Sequence, residues 1–168
     1  MRVLIIFLFL VNSIFAQTQN EQIKTSLNKN SLSFNVGTAI LANGLGLKYE
    51  RIIARKQLYY SISANVNFFR FSFFGAENHT VLSVSNGFIT GIDERNHFYA
   101  NIGLGWDYVN VESYGGIYGS GGSPASQYNQ FLPVASFGYR YQVPNDGFIF
   151  RTGVGYPELL YISFGVSF

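Results

Sequence analysis

The chain has 168 residues with no cysteine, a formal net charge of +2, 18% aromatic residues and only 12% charged ones. The missing cysteines exclude disulfides, thiolate metal sites and a thiol nucleophile, and the near-neutral balance gives a polyanion such as nucleic acid no electrostatic hold. A charged fraction about half the roughly 25% of ordinary soluble domains calls for a surface solvated by something other than water.

The opening residues, MRVLIIFLFLVNSIFA, set Arg2 before an apolar run from Val3 to Val11 and close on the small Ala16. They read as a secretory signal peptide over 1–16, because the run is shorter than the about 20 residues of a spanning helix. Its removal leaves ten basic and nine acidic residues, and no cysteine follows to anchor a lipoprotein. Residues 17–30, QTQNEQIKTSLNKN, are polar and without period, a short periplasmic leader.

From 31 to 168 apolar and small polar residues alternate with period two, which marks strands with two unlike faces. Strand one, near 31–39, sets Leu32, Phe34 and Val36 against Ser33, Asn35 and Gly37. Strand two, GLGLKYERI, sets Leu45, Leu47 and Tyr49 against Gly46, Lys48 and Glu50. Strand three, near 58–68, sets Tyr60, Ile62, Ala64, Val66 and Phe68 against Tyr59 and a Ser/Asn face. Strand four, near 80–89, is the weakest, with Asn86 interrupting Leu82, Val84 and Phe88. Strand five, near 97–108, alternates Phe98, Ala100, Ile102, Leu104, Trp106 and Tyr108 with Tyr99, Asn101, Gly103, Gly105 and Asp107. Strand six, near 131–141, offers Phe131, Ala135, Phe137, Tyr139 and Tyr141 opposite Leu132, Val134, Ser136, Gly138 and Arg140. Strand seven, 148–156, offers Phe148, Phe150 and Val154 opposite Arg151 and two glycines, and strand eight ends the chain with Leu160, Ile162, Phe164, Val166 and Phe168 on one face.

The connections after strands two, four and six (ARKQ, GIDERN, VPNDG) are short and polar, whereas FRFSFFGAENH after strand three and the segment 109–130 after strand five are long. Short turns on one side and long loops on the other predict an all-β fold: an eight-stranded antiparallel transmembrane up-and-down β-barrel in the bacterial outer membrane, both termini periplasmic. A soluble barrel would carry Lys, Glu, Asp and Thr on its polar face. Here that face is mostly Gly, Ser and Asn, which suits a lumen just wide enough for side chains. Aromatics gather near the strand ends of the apolar face: Tyr60, Phe98, Tyr141, Phe148 and Phe168 toward the inner rim, and Phe68, Trp106, Tyr108, Phe131 and Tyr156 toward the outer, as interfacial girdles do. Open edges cannot face lipid, so strand eight is expected to pair with strand one.

The polar face carries Lys48, Glu50, Asp107, Arg140 and Arg151, a candidate lumen charge network in which strand direction brings Glu50, Arg140 and Arg151 near one another. His79, read in the second outer loop, and His97, read at a periplasmic turn, lie on opposite sides and share no metal; a lipid-acting site of His79 with Ser83 or Ser85 is the weakest alternative. No catalytic, cofactor-binding or metal residues are expected, and no cofactor. The loop 109–130, Gly- and Ser-rich with Tyr114, Tyr118 and Tyr128, is the candidate surface for an extracellular ligand.

GLGLKYERI, SNGFITG, NHFYANIGLGWDY and FGYRYQVPNDGFIFRTGVGYPELLYISFGVSF, taken in order, resemble the small outer-membrane β-barrel proteins of Bacteroidota. The resemblance spans nearly all of the chain after the signal and is strongest from Phe98 to Phe168, in GYRYQ, the PNDGF turn and the final aromatic. It implies the fold and the location, outer-membrane lipids as surroundings, and a terminal strand (Leu160, Ile162, Phe164, Val166, Phe168) that the outer-membrane insertion machinery reads. It carries no catalytic residue. The expected role is structural or surface-interacting with a plugged polar lumen; a narrow channel for ions or small solutes is the alternative, and a lipid-modifying enzyme the second.

Overall fold

A computed structural model describes residues 27–39, 42–55, 58–71, 76–91, 95–112, 124–143 and 147–168. The expected signal peptide, most of the leader, and Tyr114 and Tyr118 lie outside the described residues. Eight strands follow in order: β1 (Asn30–Ala39), β2 (Ala42–Arg55), β3 (Tyr59–Phe71), β4 (Glu77–Ile89), β5 (Asn96–Val111), β6 (Ser126–Gln142), β7 (Phe148–Tyr156) and β8 (Leu159–Ser167). Each pairs antiparallel with the next, and β8 returns to β1 with Phe34 opposite Phe164 and Ser31 opposite Ser167, closing the barrel.

Burial runs opposite to that of a water-soluble barrel. Along β5, Phe98 and Ile102 are each 66% exposed, while Tyr99 is 4% and Asn101 6% exposed. Large apolar side chains therefore cover the outside, and Ser, Asn and charged residues fill the inside. Room inside is short, so the inner face depends on glycine: a Cβ on Gly46 would run into the side chain of Asn67 on β3, and one on Gly87 into Asn101. The polar Asn86 on the outer face accepts a 2.8 Å bond from the Tyr60 hydroxyl, which gives its amide oxygen a partner without water.

Several expected boundaries move. β3 continues to Phe71 and β4 begins at Glu77, so most of FRFSFFGAENH is strand and His79 is not in a loop. β5 and β6 likewise extend to Val111 and back to Ser126, shortening the loop read over 109–130. The first outer connection joins Ala39 to Ala42 and is as short as an inner turn. At the other end the leader is not free where it is described. Leu27 is 1% exposed, Asn28 Nδ2 donates to Ser167, and Lys29 O accepts from Ile52 N.

The wall is uneven in height. β7 and β8 span nine residues each, against 17 for β6. Ala135 is the last β6 residue opposite β7, facing Tyr156, so residues 126–134 pair only with β5. Pro133 lies in that stretch, opposite Leu104 of β5, on a strand whose other edge is unpaired there among the described residues and so tolerates proline.

Candidate functional site in the barrel lumen

Three groups of side chains can be followed through the lumen. Leu27, Ile52, Tyr59, Ile89, Tyr99 and Tyr161 form one apolar cluster, reaching from the inner turns up to the start of β8; toward the outer connections Phe69, Val81, Leu132 and Val134 form another, with Phe71 packed on it. The lumen expected to be polar is thus apolar in its outer part, because β6 turns Leu132 and Val134 inward.

The charge network interleaves with the first cluster: Arg140 stands opposite His97, one lumen-facing step further in than Tyr99, and Arg151 stands opposite Ser163, one step further in than Tyr161. Glu50 comes from β2 and Arg140 from β6, strands on opposite sides of the closed barrel. Glu50 Oε1 accepts from Arg140 Nη1 and, at 2.9 Å, from Arg151 Nη2, while Lys48 Nζ stands 3.9 Å from Glu50 Oε2. Gln142 Oε1 accepts from Arg140 Nε at 2.9 Å. Ser33 and Ser31 hydroxyls accept from Arg151 at 3.3 and 3.2 Å. Every charged member is more than nine-tenths buried, and such charges persist only where ion pairs and hydrogen bonds replace their hydration.

Asp107 does not belong with these four. It faces the lumen further out on β5, where its Oδ2 lies 2.9 Å from His79 Nδ1 and accepts a 3.0 Å bond from Gln130 Nε2. His79 Nε2 is 3.5 Å from Glu77 Oε2, and the ring meets Phe71 edge-on at 5.0 Å. The register sets Val81 of β4 opposite Asp107, so His79, one step outward on the same face, reaches the carboxylate. The partnership of His79 with Ser83 or Ser85 is not formed. Ser83 accepts from Asn65 at 3.3 Å, and Ser85 bonds Ser63 at 2.8 Å. His97 opens β5, buried in the inner lumen, its Nδ1 2.5 Å from the Thr90 carbonyl. No cluster of three metal-ligating side chains occurs among the described residues.

Glu158 was not anticipated. It sits in the two-residue turn after Tyr156, between a cis Tyr156-Pro157 peptide and Leu159, whose φ is 57°. Because β7 and β8 are short, this turn lies low on the wall and the carboxyl borders the lumen. Burial raises its pKa, opposed by a backbone hydrogen bond, the charge of Lys48 and a hydrogen bond with Asn67. Lys48, Arg151 and Glu158, with Asn35, Asn67 and Asn101, line a cavity of about 40 Å³.

The girdle and terminal residues lie on the outer surface. Phe68, Phe98, Trp106, Tyr108, Phe131, Phe148 and Tyr156 are exposed, and Tyr60 and Tyr141 half-buried. Trp106 and Phe131 meet edge-to-face at 4.6 Å. Leu160, Ile162, Phe164, Val166 and Phe168 all point outward.

No family model matches the chain. No curated protein matches it either. Among solved structures it is similar to the N-terminal β-barrel domain of Pseudomonas aeruginosa OprF, with a TM-score of 0.53 at 11% identity over 84% of this chain and 98% of that one. It is also similar to the Yersinia pestis outer membrane protein Ail in a phospholipid bilayer nanodisc, with a TM-score of 0.50 at 15% identity over 84% and 99% of the two chains. At such identities the likeness is one of fold: a closed eight-stranded barrel of the kind found in outer membranes.

Proposed function

We propose that this chain is an integral outer-membrane barrel with both termini periplasmic, related to the small Bacteroidota barrels, whose role is structural or surface-interacting and whose lumen is closed. The exposed apolar belt supports the location, since only hydrocarbon solvates such a surface without penalty. Outer-membrane lipids are then its immediate partners, the insertion machinery its partner during assembly, and the outer connection after β5 its contact with anything outside the cell. The lipid-modifying alternative lacks a nucleophile beside His79, because Ser83 and Ser85 bond Asn65 and Ser63 instead.

The observation that carries the closed lumen is the Arg140–Glu50–Arg151 bridge, which joins strands across the barrel diameter. Planar-bilayer recording tests it. The refolded protein is expected to leave the bilayer silent, and steady unit conductance would establish the alternative, a narrow channel, which the polar cavity lining favours.

A further inference from the structure

Among the described residues the inner lumen holds more positive than negative charge. Lys48, Arg140 and Arg151 share one fully buried carboxylate, Glu50, whose Oε1 serves both arginines and whose Oε2 faces Lys48. Glu158 is the next carboxylate, only partly buried, and no ion pair within 4 Å joins it to Lys48 among the described residues. With Glu158 ionised one positive charge remains over, and with it protonated two. Uncompensated charge in a water-poor interior is costly.

The 40 Å³ cavity borders that excess, lined by both Lys48 and Arg151. Arg151 is 2% exposed, its Nη atoms are occupied by Glu50, Ser31 and Ser33, and its Nε has no hydrogen-bond partner. Ammonium and guanidinium groups only donate, and the Asn35 amide beside them can donate as well, while Asn67 and Asn101 are bonded to Glu158 and Ser136. A space of this size takes about one guest of water dimensions, which leaves phosphate or sulfate outside. We propose that the cavity is a binding site for a single monatomic inorganic anion of halide size, held by Lys48 and Arg151. The anion neutralises the lumen and ties β2 to β7 where Glu50 alone does not suffice. Glu158, from its turn, is the built-in competitor for the same cations. The site is independent of whether the lumen conducts.

The test uses the full folded protein in detergent micelles and in crystals. At matched ionic strength, thermal unfolding in sodium bromide or chloride is expected at higher temperature than in sodium gluconate, whose anion is too large, with the shift growing with halide concentration as for any ligand of the native state. Bromide-soaked crystals should show one anomalous peak inside the barrel beside Lys48 and Arg151. Lys48→Met removes the halide-dependent shift, and Glu158→Gln, which keeps all three cations, enlarges it. Equal unfolding temperatures in halide and gluconate overturn the proposal, as does bromide found only on the outer surface. So does a Glu158→Gln shift no larger than that of the unsubstituted protein, which decides the matter even if Lys48→Met does not fold.

Discussion

Among the described residues Glu50 is the carboxylate that Lys48, Arg140 and Arg151 share. Its removal as Glu50→Ala takes from Arg140 and Arg151 the carboxylate that both pair with, and breaking a buried pair from one side costs roughly 3–5 kcal/mol. Urea unfolding in detergent is expected to show a loss of that order. A loss below about 1 kcal/mol would mean that water enters the lumen and screens the arginines. The participation of Glu50, Arg140 and Arg151 was legible in the sequence, because inward face and strand direction suffice to place them. Asp107 was assigned to the wrong group for a specific reason. Its neighbour is fixed by register, Val81 opposite Asp107, and register between β4 and β5 cannot be read from alternation alone. Glu158 escaped because its inward position follows from the shortness of β7 and β8, a property of the wall and not of the turn residues.

At the level of the strands, β8 carries the closure. Beyond its ladder with β1, Phe168 exchanges two backbone bonds with Asn30, at 2.9 and 3.0 Å. Deleting Phe168 is therefore expected to remove an outward aromatic and the last seam bonds together, lowering the yield of heat-resistant barrel in detergent gels. A truncated chain that inserts and resists heat like the full one would show that the seam closes without it. Phe164, outward in the middle of β8 and opposite Phe34, tests the face itself. Phe164→Arg should cost about 2–4 kcal/mol if that face meets the middle of a bilayer, measured by folding into vesicles. A neutral outcome would place the face in water. Strand existence and inner boundaries were readable because both faces are distinct within the belt. Beyond it, at Glu77–Thr80 and Ser126–Gln130, both faces are polar or mixed, the period disappears, and pairing with neighbouring strands alone holds the chain extended.

For the molecule as a whole, the inversion of burial is the feature from which the rest follows. It was legible as a choice of small residues: Gly, Ser and Asn on the face opposite the aromatics suit a crowded lumen and not a water-facing surface. The uneven wall height was not legible, since it depends on where the outward halves of β3 to β6 keep pairing after alternation fades. The protein carries a single tryptophan, Trp106, in the outer girdle and 42% exposed, so its environment reports on the inversion without mutagenesis. In vesicles containing lipids brominated at graded depths, its fluorescence is predicted to be quenched, and more strongly by bromines near the headgroups than by those at the bilayer centre. Emission that no brominated lipid quenches would put the apolar face in water and contradict the account.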